Sequence, residues 1–209
     1  MIVRPVFDGL APPAPYRWVD PPAELAEDNI RARGGGATIE LGPAGSVAKS
    51  ITTGDGQASV IFPAGSIALR PEQSTVRVRI TPKDPDTIGL PPSNLFFDGN
   101  AYEVRATYEP SGEPLMLDPA AKVQVVLRYP RHATSILRWT GSAWDILDTT
   151  TVPQSLQLLA AIGDLGSFVS AGPPQSDATP PGVTPWWAYA AAGSGLLLVT
   201  LGALRRVKR

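Results

Sequence analysis

"VRVRI", residues 76–80, decides how the chain is read. Val76, Val78 and Ile80 fall on one side and Arg77 and Arg79 on the other, the period of two that belongs to a strand with one buried and one solvated face. "KVQVVLRY" (122–129) repeats the pattern with Val123, Val125 and Leu127. Further short runs, alternating or apolar, lie on either side: "ATIEL" (37–41), "QASVIF" (57–62), "AYEVRATYE" (101–109), "SILRWT" (135–140) and "AWDILDT" (143–149). The leucines of "SLQLLAAI" (155–162) suit a helix start as well, but Leu156, Leu158, Ala160 and Ile162 alternate, so this segment also reads as strand. Gly54-Asp55-Gly56, Asp98-Gly99-Asn100 and Gly141-Ser142 carry turn chemistry between runs. Short strands at this spacing predict an all-β domain, an antiparallel β-sandwich over residues 36–172.

Composition agrees with one such domain plus appendages. The chain has 209 residues, and a domain typically takes on the order of 100–150. With 23 prolines and 20 glycines, turns are favoured over long helices. There is no cysteine, so neither disulfides nor thiolate metal ligation is available. The net charge is −1, yet Arg205, Arg206, Lys208 and Arg209 supply four of the 18 basic residues. Residues 1–204 therefore hold 14 basic against 19 acidic side chains, a net −5 that disfavours nucleic acid as a partner.

Residues 1–35 form a different region. Pro5, Pro12, Pro13, Pro15, Pro21 and Pro22 forbid helix interior and central strand there, which makes this segment an extended, Pro-rich N-terminal arm. Phe7, Tyr16, Trp18 and Val19 are interleaved with the prolines. Large aromatics are mostly buried, so Tyr16 and Trp18 are expected to dock on the arm's own domain, with capture of a partner by a polyproline arm as the alternative.

The other end carries a membrane signal. From Trp186 to Leu204 there is no charged residue, which as helix spans about 28 Å against a bilayer core of roughly 30 Å. The stretch is apolar all round and so predicts a C-terminal transmembrane helix over 186–204. Trp186, Trp187 and Tyr189 form an aromatic belt at one end, and Arg205, Arg206, Lys208 and Arg209 a basic tail (205–209) at the other. The proline-rich linker 173–185 is a semi-rigid spacer. Residues 1–20 contain no apolar core of a signal peptide. Either such a segment lies upstream, or the protein is tail-anchored. The positive-inside rule favours the first, with the domain outside and the C-terminus cytoplasmic.

The run "GDGQASVIFPAGSI" (54–67), a strand ending in Pro-Ala-Gly-Ser-Ile, resembles the signature of ZU5 domains. "LRWTGSAWDILDTT", followed by "LGSFVSAG", is similar to the second half of such modules. The resemblance covers about residues 36–172 and implies a β-sandwich that binds other proteins without catalytic machinery. Ser66 and Ile67 stand where the commoner pattern has Ala-Leu, and no binding residue carries over. The arm also resembles the opening of membrane-anchored bacterial proteins.

Catalytic readings are thin. His132-Ala133-Thr134 matches the His-x-Thr tripeptide at which some related domains cut themselves, with Thr134 as nucleophile and His132 as base. A solvated loop is the commoner setting for such a tripeptide. Asp84 and Asp86 alternate with prolines, which is turn chemistry before it is calcium ligation. Neither a phosphate-cradling Gly-Lys-Ser loop nor a nucleophile elbow occurs. The sequence thus predicts no enzyme, no cofactor and no metal. It predicts a structural or protein-interaction module at the cell surface, held in membrane lipid and meeting a protein partner. Carbohydrate or cell-wall binding through Trp139 and Trp144 is the alternative.

Overall fold

The computed structural model describes residues 14–117, 119–152 and 155–174. These form two antiparallel sheets. The strands are β1 (Gly35–Gly42), β2 (Gly45–Ser46), β3 (Lys49–Thr52), β4 (Ala58–Phe62), β5 (Thr75–Lys83), β6 (Phe96–Glu109), β7 (Val123–Arg128), β8 (Ser135–Trp139), β9 (Trp144–Ile146), β10 (Thr149–Val152), β11 (Gln157–Ile162) and β12 (Gly166–Gly172). One sheet has seven strands in the order β2-β1-β5-β6-β12-β8-β9, the other five in the order β10-β11-β7-β4-β3. Three single-turn 3-10 segments complete the described elements: Ala23–Leu25, Pro85–Thr87 and Pro119–Ala121.

Alternation in the sequence becomes the core. Val76, Val78 and Ile80 of β5 are buried against Tyr108, Ala106 and Val104 of β6, their register partners. In the smaller sheet Val60, Val125 and Ala160 sit side by side across β4, β7 and β11. Inward residues of both sheets belong to one hydrophobic cluster, so the architecture is sandwich-like. Burying one face of each sheet removes apolar area from water at about 25 cal/mol per Å², while Arg77 and Arg79 remain exposed.

A second, smaller cluster lies on the opposite face of the seven-stranded sheet. Ala101, Leu137, Trp144 and Val169 are buried there, with Ile88, Phe97 and Trp139 packed around them. The adjacent odd-numbered positions of β6, β8 and β12 explain it: Ile136 faces the main core while Leu137 faces this satellite. Both faces of β8 are therefore apolar, as "SILRW" already shows.

Two sequence expectations need correction. Asp98-Gly99-Asn100 is not a turn between strands but part of β6. Between the pairs Ala171↔Phe97 and Val169↔Ala101, β6 advances four residues while β12 advances two, and the excess bulges at Gly99, whose φ of +115° suits glycine. The bulge turns Asp98 and Asn100 inward, where both are buried. Likewise 143–149 is not one strand. Trp144 packs in the satellite cluster, Leu147 turns toward the main core, and its N–H donates to Ile136 O at 2.9 Å. The chain thereby crosses from the seven-stranded sheet to the five-stranded one. The first strand begins at Gly35. Among the described residues no helix is long and apolar enough to cross a membrane, and residues 186–204 lie outside them.

Candidate functional site

The arm is seated in a slot between the two sheets. Gln57 stands immediately before β4 of the smaller sheet, Asn100 in the β6 bulge of the larger, and residues 16–19 run between them. Three side-chain carboxamides take up the arm's main chain. Arg17 N–H donates to Gln57 Oε1 at 3.1 Å, and Arg17 O accepts from Gln57 Nε2 at 3.1 Å and from Asn100 Nδ2 at 2.7 Å. Trp18 N–H donates to Asn29 Oδ1 at 3.0 Å, while Trp18 O accepts from Asn29 Nδ2 at 3.2 Å. Val19 N–H donates to Asn100 Oδ1 at 2.8 Å. Five consecutive main-chain polar groups, from Arg17 N–H to Val19 N–H, are thus satisfied by carboxamides, which suit the task because each offers a donor and an acceptor.

The carboxamides are themselves fixed. Gln57 is 1% exposed and Asn100 2% exposed, so neither has water as an alternative partner. Gln57 N–H donates to Thr53 Oγ1 and to Asp55 Oδ1, both at 3.1 Å, and the Thr53 hydroxyl donates to Asp55 Oδ1 at 2.7 Å. The Gly54-Asp55-Gly56 turn expected from sequence therefore does more than reverse the chain: its carboxylate sets the start of β4.

Side chains complete the seat. Trp18 is 7% exposed, and its ring lies edge-on to that of Tyr16 with centroids 4.9 Å apart. The Tyr16 hydroxyl accepts Asn100 N–H at 2.9 Å. Burial pushes the Tyr16 phenol above its ordinary pKa of 10.0, and burial raises Tyr102 beside it as well. Asp98, also buried, accepts from Arg131 N–H and Nε, each at 3.2 Å, and from His132 N–H at 2.6 Å. It holds the 130–132 segment so that the Arg131 guanidinium lies 5.9 Å from the Trp18 ring centroid.

Trp18 and Pro22 stand between two surface clefts and line both. One, of about 330 Å³, runs between the arm and the 84–91 segment, past Phe96 and the carboxylates of Asp20, Asp84 and Asp86. The other, of about 310 Å³, is walled by Pro15, Tyr16, Leu25 and Arg131. Asp84 caps the 3-10 turn Pro85–Thr87 by accepting Asp86 N–H at 3.0 Å, the structural use of an Asp-Pro sequence.

The remaining sequence candidates fall as follows. His132 and Thr134 are exposed, and among the described residues no hydrogen bond joins imidazole to hydroxyl; Thr134 N–H donates to Ala171 O at 2.9 Å. Trp139 and Trp144 face each other across the β8–β9 hairpin, with centroids 5.3 Å apart and planes tilted by 57°. Trp144 is buried and its indole N–H donates to Gly89 O at 3.1 Å, so the pair forms no coplanar exposed platform for a sugar. Trp186, Trp187, Tyr189, Arg205, Arg206, Lys208 and Arg209 lie outside the described residues. Sequence reasoning found the arm's anchors, Tyr16 and Trp18, but not Gln57, Asn29 and Asn100. The prolines signal an extended chain with unpaired main-chain groups; nothing in the sequence says which amides meet them.

No family model matches the chain, and no curated protein or solved structure is similar to it at a significant level.

Proposed function

We propose that this chain is a single-pass membrane protein that displays a two-sheet β domain at the cell surface as a structural or protein-interaction module. The observation that carries the membrane part is the uncharged stretch 186–204, flanked by Trp186, Trp187 and Tyr189 on one side and by Arg205, Arg206, Lys208 and Arg209 on the other. The interaction part is supported by the slot, where buried amides hold an extended peptide segment through its main chain, a mode that protein-recognition sites share. A ZU5-like ancestry belongs to the same reading, supported by the 54–67 run, which forms β4 and a turn whose Gly65 has φ +72° and whose Ile67 is buried.

Expression of the full chain followed by alkaline carbonate extraction tests the anchor. Retention in the lipid pellet, lost on deleting residues 186–209, is the expected result, and a full chain recovered in the aqueous fraction overturns it. Protease added to intact cells tests the side. Digestion of the domain supports display at the surface, whereas full protection places it in the cytoplasm.

A further inference from the structure

We propose that the open cleft between the arm and the 84–91 segment binds the guanidinium or ammonium group of a basic residue in an extended, proline-rich segment of a protein partner. This partner class belongs to the interaction module proposed above and rests on that reading; it does not depend on the anchor.

Charge selects a cation. Asp20, Asp84 and Asp86 line this space of about 330 Å³, and among the described residues no basic side chain does. One Asp84 oxygen accepts Asp86 N–H at 3.0 Å. The side chains of Asp20 and Asp86 are exposed, and among the described residues neither carboxylate has a hydrogen bond or an ion pair. The nearby cations are engaged elsewhere. Lys83 lies 3.8 Å from Glu103, and Arg131 pairs with Asp98 and lines the second cleft instead. The first cleft therefore holds negative charge that its own surroundings leave uncompensated, and a positively charged group complements it.

Rings supply the rest of the surface. Phe96, at the start of β6, is 58% exposed. Its register partner is Gly172, which has no side chain, and β5 ends at Lys83 opposite Ala101, so no paired strand residue covers the ring. Phe97 and Trp18 line the same cleft. A cation within about 6 Å of such a ring is attracted to its face, and the Arg131 guanidinium already lies 5.9 Å from the Trp18 centroid. The walls decide the form of the partner. Pro21, Pro22, Pro85 and Pro91 have no N–H and so offer no ladder to an added strand. A polyproline-type segment needs no ladder, because its main chain stays solvated and its side chains dock on aromatic surfaces. Fixed proline φ angles and the Asp84-capped turn hold the walls in place before binding.

The test is calorimetric titration of the full chain, in nonionic detergent, with the peptide acetyl-Pro-Pro-Arg-Pro-Pro-amide. Saturable binding with a Kd below about 1 mM is expected. The same peptide with citrulline for arginine keeps the shape and loses the charge, and should bind about 10-fold more weakly. The double substitution Asp20→Asn/Asp86→Asn should weaken the arginine peptide about 5-fold. Its melting temperature should match the parent's, because both side chains are exposed and unpaired among the described residues. Phe96→Leu keeps an apolar side chain but removes the ring, and should cost about 3-fold. Failure to saturate by about 1 mM overturns the proposal, as does undiminished binding to the double variant. Equal binding of the citrulline peptide also overturns it, while leaving the broader protein-interaction reading in place. Choline bound as tightly as the arginine peptide overturns the protein partner in favour of a small cation.

Discussion

The hydroxyl of Tyr16 accepts the main-chain N–H of Asn100 at 2.9 Å, joining two residues 84 positions apart. The bond ties the arm to the one place where β6 breaks its register, and it explains why that break contains glycine. A Cβ added to Gly99 would stand 2.5 Å from the Tyr16 oxygen. The bulge, the phenol and the arm's path are one structural unit.

Replacing Trp18 by Ala should therefore destabilise the whole domain. The ring is 7% exposed and packs on Tyr16, and truncating a buried Trp costs on the order of 3–5 kcal/mol. Urea unfolding of the chain with and without the substitution measures this. Coincident midpoints would mean that the arm contributes nothing to the fold.

Gly99→Ala and Gly112→Ala separate steric conflict from backbone strain. Both glycines have positive φ, +115° and +75°, so alanine is strained at each by roughly 1–2 kcal/mol. Gly112 has nothing within 4 Å of a new Cβ, whereas Gly99 has the Tyr16 hydroxyl and a Pro130 carbon at 3.2 Å. Gly99→Ala should lower the melting temperature more and also make the 20–28 segment more sensitive to protease. Equal losses at the two positions would show that the Tyr16 contact does not constrain the bulge.

The strands were legible wherever burial is one-sided, because a period of two then survives in the sequence: β5, β7 and β11 are examples. β6 was legible only from Ala101, since its first residues answer to partners far away in sequence: Asn100 to Tyr16, and Asp98 to Arg131 and His132. Asp-Gly-Asn is turn chemistry locally, and tertiary contacts convert it into a bulge. β2 and β3 carry too few apolar residues to show a period. In the slot, anchors were legible and clamps were not. Aromatics among prolines stand out against their surroundings, while a single Gln or Asn looks like any surface amide until long-range folding buries it.

Gly89→Ala tests the satellite cluster. A Cβ there would lie 2.6 Å from two ring carbons of Trp139, and Gly89 O accepts the Trp144 indole N–H at 3.1 Å. Overpacking of this kind typically costs 1–3 kcal/mol. The expected result is that loss together with a changed tryptophan signal in near-ultraviolet circular dichroism. An unchanged signal would mean that the 84–95 segment shifts freely over the sheet.

Alkaline pH should destabilise the domain through the two buried phenols at the slot. Burial raises the pKa of Tyr16 from 10.0 and that of Tyr102 likewise. A phenol whose pKa is higher folded than unfolded binds more protons in the native state once the unfolded chain begins to ionise, near pH 10. Stability is therefore fully present below that pH and falls above it, by up to about 1.4 kcal/mol per pH unit for each such tyrosine. Urea midpoints measured from pH 8 to pH 11.5 should stay level and then decline. Tyr16→Phe should lower the plateau, because Asn100 N–H loses its acceptor, and should also flatten the decline, because one titrating group is gone. A decline as steep in Tyr16→Phe as in the parent chain would show that the phenol ionises as readily in the slot as in water.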